Sequence, residues 1–508
     1  MINSSTNIVS RYRYLFLLLL SAFIGFFGID KSPLDGDEIV TANDVTGFGY
    51  IRNGVADGFR VYPQTEHMVF SAAEYWERNK VSRVVKYTMD DAGHSLPYNV
   101  LVHYWIQVTG FSIAALRWPS AILIVLAALL FYRFVYKTFE DRKVANLAGL
   151  FFVLHALVIQ LAHFARMYAL ALFWLMAVLV LCRGLEASVR EGRKGRSFWQ
   201  AVGIGSVTAL ALVTHYFTGL AIGGLFFFYV FQINKANLRR AVAIAINIFI
   251  PFTVIMLLYL FPLGGLKSLQ LVNAMNKAAE TQYFFGIEKP GVLPVVWSFF
   301  CRLTTSFGNS TASEWNAKSI LNVLLLIFPA LIICLNLKAA KKQYGSRNIS
   351  FFLCCIAVYI ALALLTIPIV KNMVVMHARY WVFCLPFSLP LLAVCIREGM
   401  AGKKSVVRTM TVFASVIVLL RMSYTPIMYV NDVCGRGVGW QGDPREHTAR
   451  QLIASYRQGD TISYQSWWYS QQENWFLKDY PQFVQRVDTL QSAKILLLSG
   501  GKQQVVSQ

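Results

Sequence analysis

Eleven apolar runs of roughly membrane-crossing length recur along this chain, beginning near Tyr14, Ala115, Val144, Met167, Gln200, Tyr216, Ala241, Ile320, Ser350, Tyr380 and Val407. A hydrocarbon core about 30 Å thick takes about 20 apolar residues as a helix, and a backbone in lipid must satisfy its own hydrogen bonds. The chain therefore reads as an all-α polytopic membrane protein with about 11 transmembrane helices. Composition agrees, with only 14% charged and 56% hydrophobic residues, where a soluble domain carries about 25% charged. That excludes a soluble enzyme. The first run, residues 14–27, follows Arg11 and Arg13 and has no A-x-A-like site after it, so it is expected to stay as an anchor.

The formal charge of +21 does not mark a nucleic-acid partner, because the cations fall in short loops between apolar runs rather than on one face. Twenty-one of the Lys and Arg residues lie in loops that alternate consistently to one side, from Arg11 and Arg13 to Arg397, Lys403, Lys404 and Arg408. The three short loops of the other side hold only Arg166, Lys371 and Arg379. The positive-inside rule then places the N-terminus in the cytoplasm and the C-terminus outside. Three longer stretches face outward: 30–114, 264–318 and 426–508. The expected division is a membrane module over 1–263 that includes the loop 30–114, an outer loop over 264–318, transmembrane helices over 319–425, and a small outer domain over 426–508. The first outer loop carries amphipathic helices. In the tail, 444–457 reads as a helix, and 461–464 and 494–499 as strands, giving a small α/β appendage. The eight cysteines show no disulfide or zinc spacing.

Since every cytoplasmic loop is short, a built site belongs on the outer face. The first outer loop holds 11 of the 26 acidic residues. Its sharpest element is Leu34-Asp35-Gly36-Asp37-Glu38, where a carboxylate just beyond a membrane helix could deprotonate an acceptor hydroxyl. The competing reading is that Asp35 or Asp37 only caps the helix that follows. Further on, Asp90-Asp91-Ala92-Gly93-His94-Ser95-Leu96-Pro97-Tyr98 offers oxygen and imidazole ligands for a divalent cation, Mg or Mn, against the plainer reading that His94 is satisfied by a neighbouring carboxylate. Arg166, in His163-Phe164-Ala165-Arg166-Met167-Tyr168, stands where a membrane run begins, and His215-Tyr216 and Met376-His377-Ala378-Arg379-Tyr380 stand at the same level. An arginine there needs a partner, and its fork suits a phosphate. The alternative is that both arginines reach lipid headgroups or loop carboxylates.

Taken in order, Asp37-Glu38, His94-Ser95-Leu96-Pro97-Tyr98, Ala115-Leu116-Arg117-Trp118-Pro119-Ser120-Ala121, Ala165-Arg166-Met167-Tyr168-Ala169-Leu170 and Thr214-His215-Tyr216 resemble the GT-C membrane glycosyltransferases, specifically the protein O-mannosyltransferase and aminoarabinose-transferase superfamily. The likeness covers about the first 230 residues, with Arg379-Tyr380 and Leu385-Pro386 similar to a later element. It implies a GT-C fold in a bacterial inner membrane, with the active site and tail periplasmic. It also implies transfer of a sugar from a polyprenyl-phosphate donor to a lipid, glycan or protein acceptor. By the same resemblance Asp37 is the general base and Glu38 its helper or a metal contact. Arg166 and Arg379 are, by that resemblance, the donor-phosphate contacts; His163 is a further candidate for the donor phosphate, and Asp91, His94, Tyr98, Tyr168 and His215 are candidate contacts of substrate or metal. Ser95-Leu96 departs from the Pro pair usual in relatives, which bears on the loop backbone. The readings from other classes are a lipid-linked sugar or polysaccharide transporter, and a transferase of another lipid-carried group or of a whole glycan repeat.

Overall fold

The computed structural model describes residues 4–30, 36–47, 80–90, 95–233, 237–270, 297, 300–301, 320, 323–370, 378–433, 461–464, 495–499 and 502–506. In chain order the helices are α1 (Ser4–Phe26), α2 (Gly36–Thr46), α3 (Val81–Asp90), α4 (Leu96–Thr109), α5 (Ile113–Phe139), α6 (Arg142–Leu154), α7 (Ala156–Ala162), α8 (Tyr168–Arg190), α9 (Lys194–Thr214), α10 (Thr218–Val230), α11 (Leu238–Leu260), α12 (Ile327–Tyr344), α13 (Ser346–Val370), a 3₁₀ helix (Ala378–Cys384), α14 (Leu385–Ala401) and α15 (Ser405–Val433). Three strands follow: β1 (Thr461–Tyr464), β2 (Ile495–Ser499) and β3 (Lys502–Val506). The chain forms two compact units, one of residues 1–27 with 120–429 and one of residues 28–119 with 430–508.

The first unit is a helical bundle. Among the described residues seven helical stretches are long and apolar enough to cross a membrane, eight if the bent pair α6 and α7 is one span, while α10 and residues 15–26 of α1 are shorter apolar helices. Each of the eleven apolar runs contains a helix, but among the described residues fewer than eleven meet that length and hydropathy. The run expected from about Ile320 is described as α12 only from Ile327.

Burial separates core from periphery. In α14 and the turn before it 89% of the central stretch is buried, whereas for α11 the figure is 0%. Helix α11 exposes Val242, Ile246, Phe249, Ile250, Val254, Leu257 and Leu258. So continuous an apolar surface has no stable place in water, and lipid is the solvent that suits it. The protein is a multi-pass membrane protein.

Small residues bring the helices together, as they do where lipid gives helix pairs no hydrophobic drive. A Cβ at Gly205 on α9 would overlap the Ile248 carbonyl of α11, and one at Gly224 on α10 would lie 2.9 Å from the Cys355 Cα of α13. Polar ties are few and buried: Asn336 Nδ2 of α12 donates to Thr411 Oγ1 of α15 at 3.0 Å. Asp141 caps α6, accepting from the Lys143 and Val144 amides at 2.7 and 3.3 Å, and also accepts from the Tyr344 hydroxyl at 2.9 Å.

The third span is broken where the sequence suggests a single run. Helices α6 and α7 meet at 59°. His155, wholly buried, ends one and caps the other, its Nδ1 accepting from the Leu157 amide at 3.2 Å. That bond replaces one of the backbone partners that a break in lipid would leave unmade.

In the second unit α2, α3 and α4 pack on Ile39, Val40, Ala42, Val45, Val84, Met89, Val102 and Ile106. Asn99 of α4 joins all three, donating to Asp44 Oδ2 of α2 at 3.1 Å and Thr88 Oγ1 of α3 at 2.9 Å. His103 Nδ1 donates to the Val45 carbonyl at 2.8 Å, and the Gln107 amide donates to its Nε2 at 2.9 Å. Of the tail, the described part is a sheet in the order β1-β2-β3, with β1 and β2 parallel from Thr461 beside Ile495, and β2 and β3 antiparallel. Two strands stand where the alternation places them, and β3 is an addition. The helix expected over 444–457 lies outside the described residues.

Candidate functional site

The sequence-derived site residues fall in both units. In the first unit, three turns at one end of the bundle come together. The turn between α7 and α8 carries His163, Arg166 and Tyr168, the turn between α9 and α10 carries His215, Tyr216 and Phe217, and the 3₁₀ helix carries Arg379 and Tyr380. Tyr168 lies 4.9 Å from His215 and 6.1 Å from Tyr380, ring centre to ring centre. His215 lies 5.5 Å from Tyr380 and 5.6 Å from Phe383, and Phe217 lies 4.5 Å from Tyr380. The Arg379 guanidinium sits 5.5 Å from the Tyr168 ring centre and 5.8 Å from that of Tyr380, distances at which a ring face attracts a cation.

Local bonds hold these turns in place. The Tyr359 hydroxyl of α13 donates to the Tyr380 carbonyl at 2.6 Å, with Trp381 packed edge-on at 5.9 Å from Tyr359. Ser120 Oγ donates to the Phe164 carbonyl at 2.8 Å. Arg166 is 7% exposed. His215 Nδ1 accepts from the Phe217 amide at 3.2 Å, so its proton resides on Nε2. His163 is the opposite case, for its Nδ1 donates to the Ile159 carbonyl at 2.9 Å. A neutral His163 therefore offers a lone pair at Nε2, and only its imidazolium would donate to a phosphate. Tyr216 and Tyr259 share a hydroxyl hydrogen bond of 3.0 Å, a pairing that no spacing in the sequence suggests.

In the second unit Asp37 and Glu38 both lie in the first turn of α2. That turn starts at Gly36, so Asp37 is inside the helix rather than at its cap, and it is half-buried. Glu38 is 1% exposed and is held in a fork: Arg117 Nε donates to Oε1 at 2.8 Å and Nη2 to Oε2 at 2.6 Å, while Nη1 donates to the Ile29 carbonyl at 2.9 Å. Neither charge would be tolerated there alone. Arg117 was among the residues of the sequence resemblance, yet nothing in its sequence neighbourhood pointed to Glu38, 79 positions away. Tyr98 is wholly buried in this unit. Ser95, beside the departure from the Pro pair, takes a left-handed φ of 84° at the start of α4, a conformation costing a non-glycine residue about 1–3 kcal/mol. Asp35, Asp91 and His94 lie outside the described residues. Among the described residues no three His, Cys, Asp or Glu side chains gather as a metal site requires.

No family model matches the chain, and no curated protein matches it in sequence. Solved structures do match in fold. The apo oligosaccharyltransferase of Archaeoglobus fulgidus aligns with TM-score 0.50 and 13% identity over 92% of this chain and 63% of that one. The same enzyme tethered to an acceptor peptide containing the NVT sequon gives 0.50, 14%, 92% and 63%. ArnT from Cupriavidus metallidurans in its apo state gives 0.49 and 13%, over 93% of this chain and 85% of that one. The chain thus spans under two thirds of the oligosaccharyltransferase's length. At 13% to 14% identity the likeness is one of architecture: the chain has the fold of the matched part of that oligosaccharyltransferase.

Proposed function

We propose that this protein is an inverting glycosyltransferase that moves a sugar from a polyprenyl-phosphate donor to an acceptor hydroxyl at the outer face of the membrane. The observation that carries the reading is the cluster in which Arg379 lies over Tyr168 and Tyr380 beside His215, because three distant turns converge there on a cation in an aromatic setting. Arg379 and Arg166 are assigned to the donor phosphate, and the His215 Nε2–H is a further donor at that level.

The chemistry asks little more of the protein. Asp37 takes the acceptor's proton as its oxygen bonds to the anomeric carbon, and the bond from that carbon to the phosphate oxygen breaks with its electrons leaving on the phosphate. Glycoside hydrolysis needs a second carboxylic acid for a poor leaving group. A polyprenyl phosphate leaves as a stable anion, so one base and fixed positive charge suffice. Glu38, with both oxygens held by Arg117, fixes the turn that carries Asp37. The likeness to an oligosaccharyltransferase supports a second reading, in which the group transferred is a whole glycan.

The test is a radiolabelled polyprenyl-phosphate sugar offered to the purified protein with cell-envelope glycolipid as acceptor. Transfer of label with loss of the glycosyl-phosphate bond supports the reading. Movement of intact donor across a vesicle membrane would make the protein a transporter. Activity confined to donors bearing oligosaccharides would select the second reading.

A further inference from the structure

The opposite end of the helical bundle holds a second concentration of charge that the proposed transfer does not use. Arg183 lies on α8, 15 residues beyond Tyr168 and so roughly 22 Å along the helix. Its side chain is 6% exposed. Nη1 donates to Glu186 Oε2 at 2.8 Å, and the guanidinium lies 4.3 Å from the Phe351 ring centre. Nε and Nη2 are buried and, among the described residues, have no hydrogen-bond partner. These two atoms are the same edge of the guanidinium by which Arg117 grips both oxygens of Glu38. An oxyanion with two accepting oxygens is what that edge fits.

The charge around it is one-sided. Glu186 is shared, accepting from Arg347 at 3.1 Å as well as from Arg183. Gly184, next to Arg183, is a close approach between helices that brings two more donors to this level: a Cβ there would lie 2.6 Å from the Gln200 Nε2 of α9 and 4.0 Å from the Lys137 Nζ of α5. Lys137 in turn lies in the field of Arg133 and Arg196. Glu186 thus faces two cations, the buried Arg183 and the exposed Arg347, and the half-buried Lys137 faces two more, the exposed Arg133 and Arg196. Exposed Tyr136, Phe198 and Trp199, adjacent in sequence to Lys137 and Gln200, mark the level where lipid headgroups lie.

We infer that Arg183, Lys137 and the Gln200 amide form a binding site for the phosphate of a membrane lipid, at the end of the bundle remote from Tyr168 and His215. On the topology expected from the charge distribution this is the cytoplasmic leaflet. Basic pockets between transmembrane helices hold anionic headgroups by this physics.

The test is native mass spectrometry of the full chain, stripped of lipid in detergent and titrated with dioleoylphosphatidylglycerol or dioleoylphosphatidylcholine. The phosphatidylglycerol should bind more tightly, and Arg183→Gln and Lys137→Gln should each weaken it about 10-fold or more, the loss expected of a charge-assisted contact. Arg239→Gln, an exposed cation elsewhere in the bundle, should leave it unchanged. If Arg183→Gln does not fold, the half-buried Lys137→Gln decides. Equal binding of the two lipids, or unchanged affinity in Lys137→Gln, overturns the inference. Displacement by inorganic phosphate at the lipid's own concentration also overturns it, in favour of a free-phosphate site. Polyprenyl phosphate, titrated in an Arg166→Ala/Arg379→Ala background, distinguishes the carrier lipid from a phospholipid as the source.

Discussion

At the scale of single residues, the two neighbouring carboxylates at the start of α2 are placed differently, Asp37 half-buried and Glu38 enclosed with Arg117. Asp37→Asn keeps shape and hydrogen-bonding capacity but removes the proton acceptor, and should lower transfer by about 10² to 10⁴-fold with donor binding kept. If Asp37 only favours the first turn of α2 through its charge, Asn should leave transfer nearly unchanged. Asp35→Asn is the matched control, and normal transfer in both variants would remove this turn from the chemistry. Glu38 is a question of stability. Arg117→Ala would leave its carboxylate buried and unpaired, a loss of about 3–5 kcal/mol, read as a lowered unfolding midpoint of the purified protein. Arg117→Lys should not restore it, because an ammonium cannot make the two-pronged contact. A midpoint unchanged in Arg117→Ala would show that the pair contributes nothing. Arg379→Ala and Arg166→Ala should weaken donor use more than they lower that midpoint, each lost charge-assisted bond being worth about 1.5–3 kcal/mol. Normal turnover in both would favour headgroup anchoring instead.

Among the elements, helix contact depends on glycines whose neighbours are far away in sequence. Gly205→Ala should lower stability by about 1–3 kcal/mol, because the new methyl group would push α9 off the backbone of α11. Gly195→Ala, on the same helix but with open space around it, should have no such effect, and thermal unfolding in detergent separates the two. An equal response at both positions would mean that only helix propensity was being measured. The α6–α7 break and the 3₁₀ helix belong to this scale as well. Neither contains a glycine or proline, although Pro386 follows the 3₁₀ helix, and each rests on side chains placed by packing: His155 for the break, Tyr359 and Trp381 for the 3₁₀ turn.

For the whole molecule, orientation is the property to test. The N-terminus is expected in the cytoplasm and the tail outside, from the alternation of the Lys and Arg residues. A reporter active only in the cytoplasm should be silent when fused after Gln508. Activity there would mean that the number of crossings differs from the expected one by an odd number. The question is real, because seven or eight helical stretches meet the length and hydropathy of a span where eleven runs are apolar.

The membrane class, the positions of the helices and the common level of the turns that carry Arg166, His215 and Arg379 were legible in the sequence. Apolar run length and charge alternation act locally, and lipid enforces them on each segment in turn. What tertiary structure alone decided was the partners. Glu38 with Arg117, Arg379 over Tyr168, Tyr216 with Tyr259, and Arg183 between Glu186 and Phe351 each join positions that no periodicity relates. Arg183 shows the limit well, for in the sequence it counts as one more loop cation. Its burial against Phe351 of α13, and the edge left without a partner among the described residues, come from tertiary packing. A buried charge is paired by whatever the fold brings within reach, and chain order carries no record of that distance.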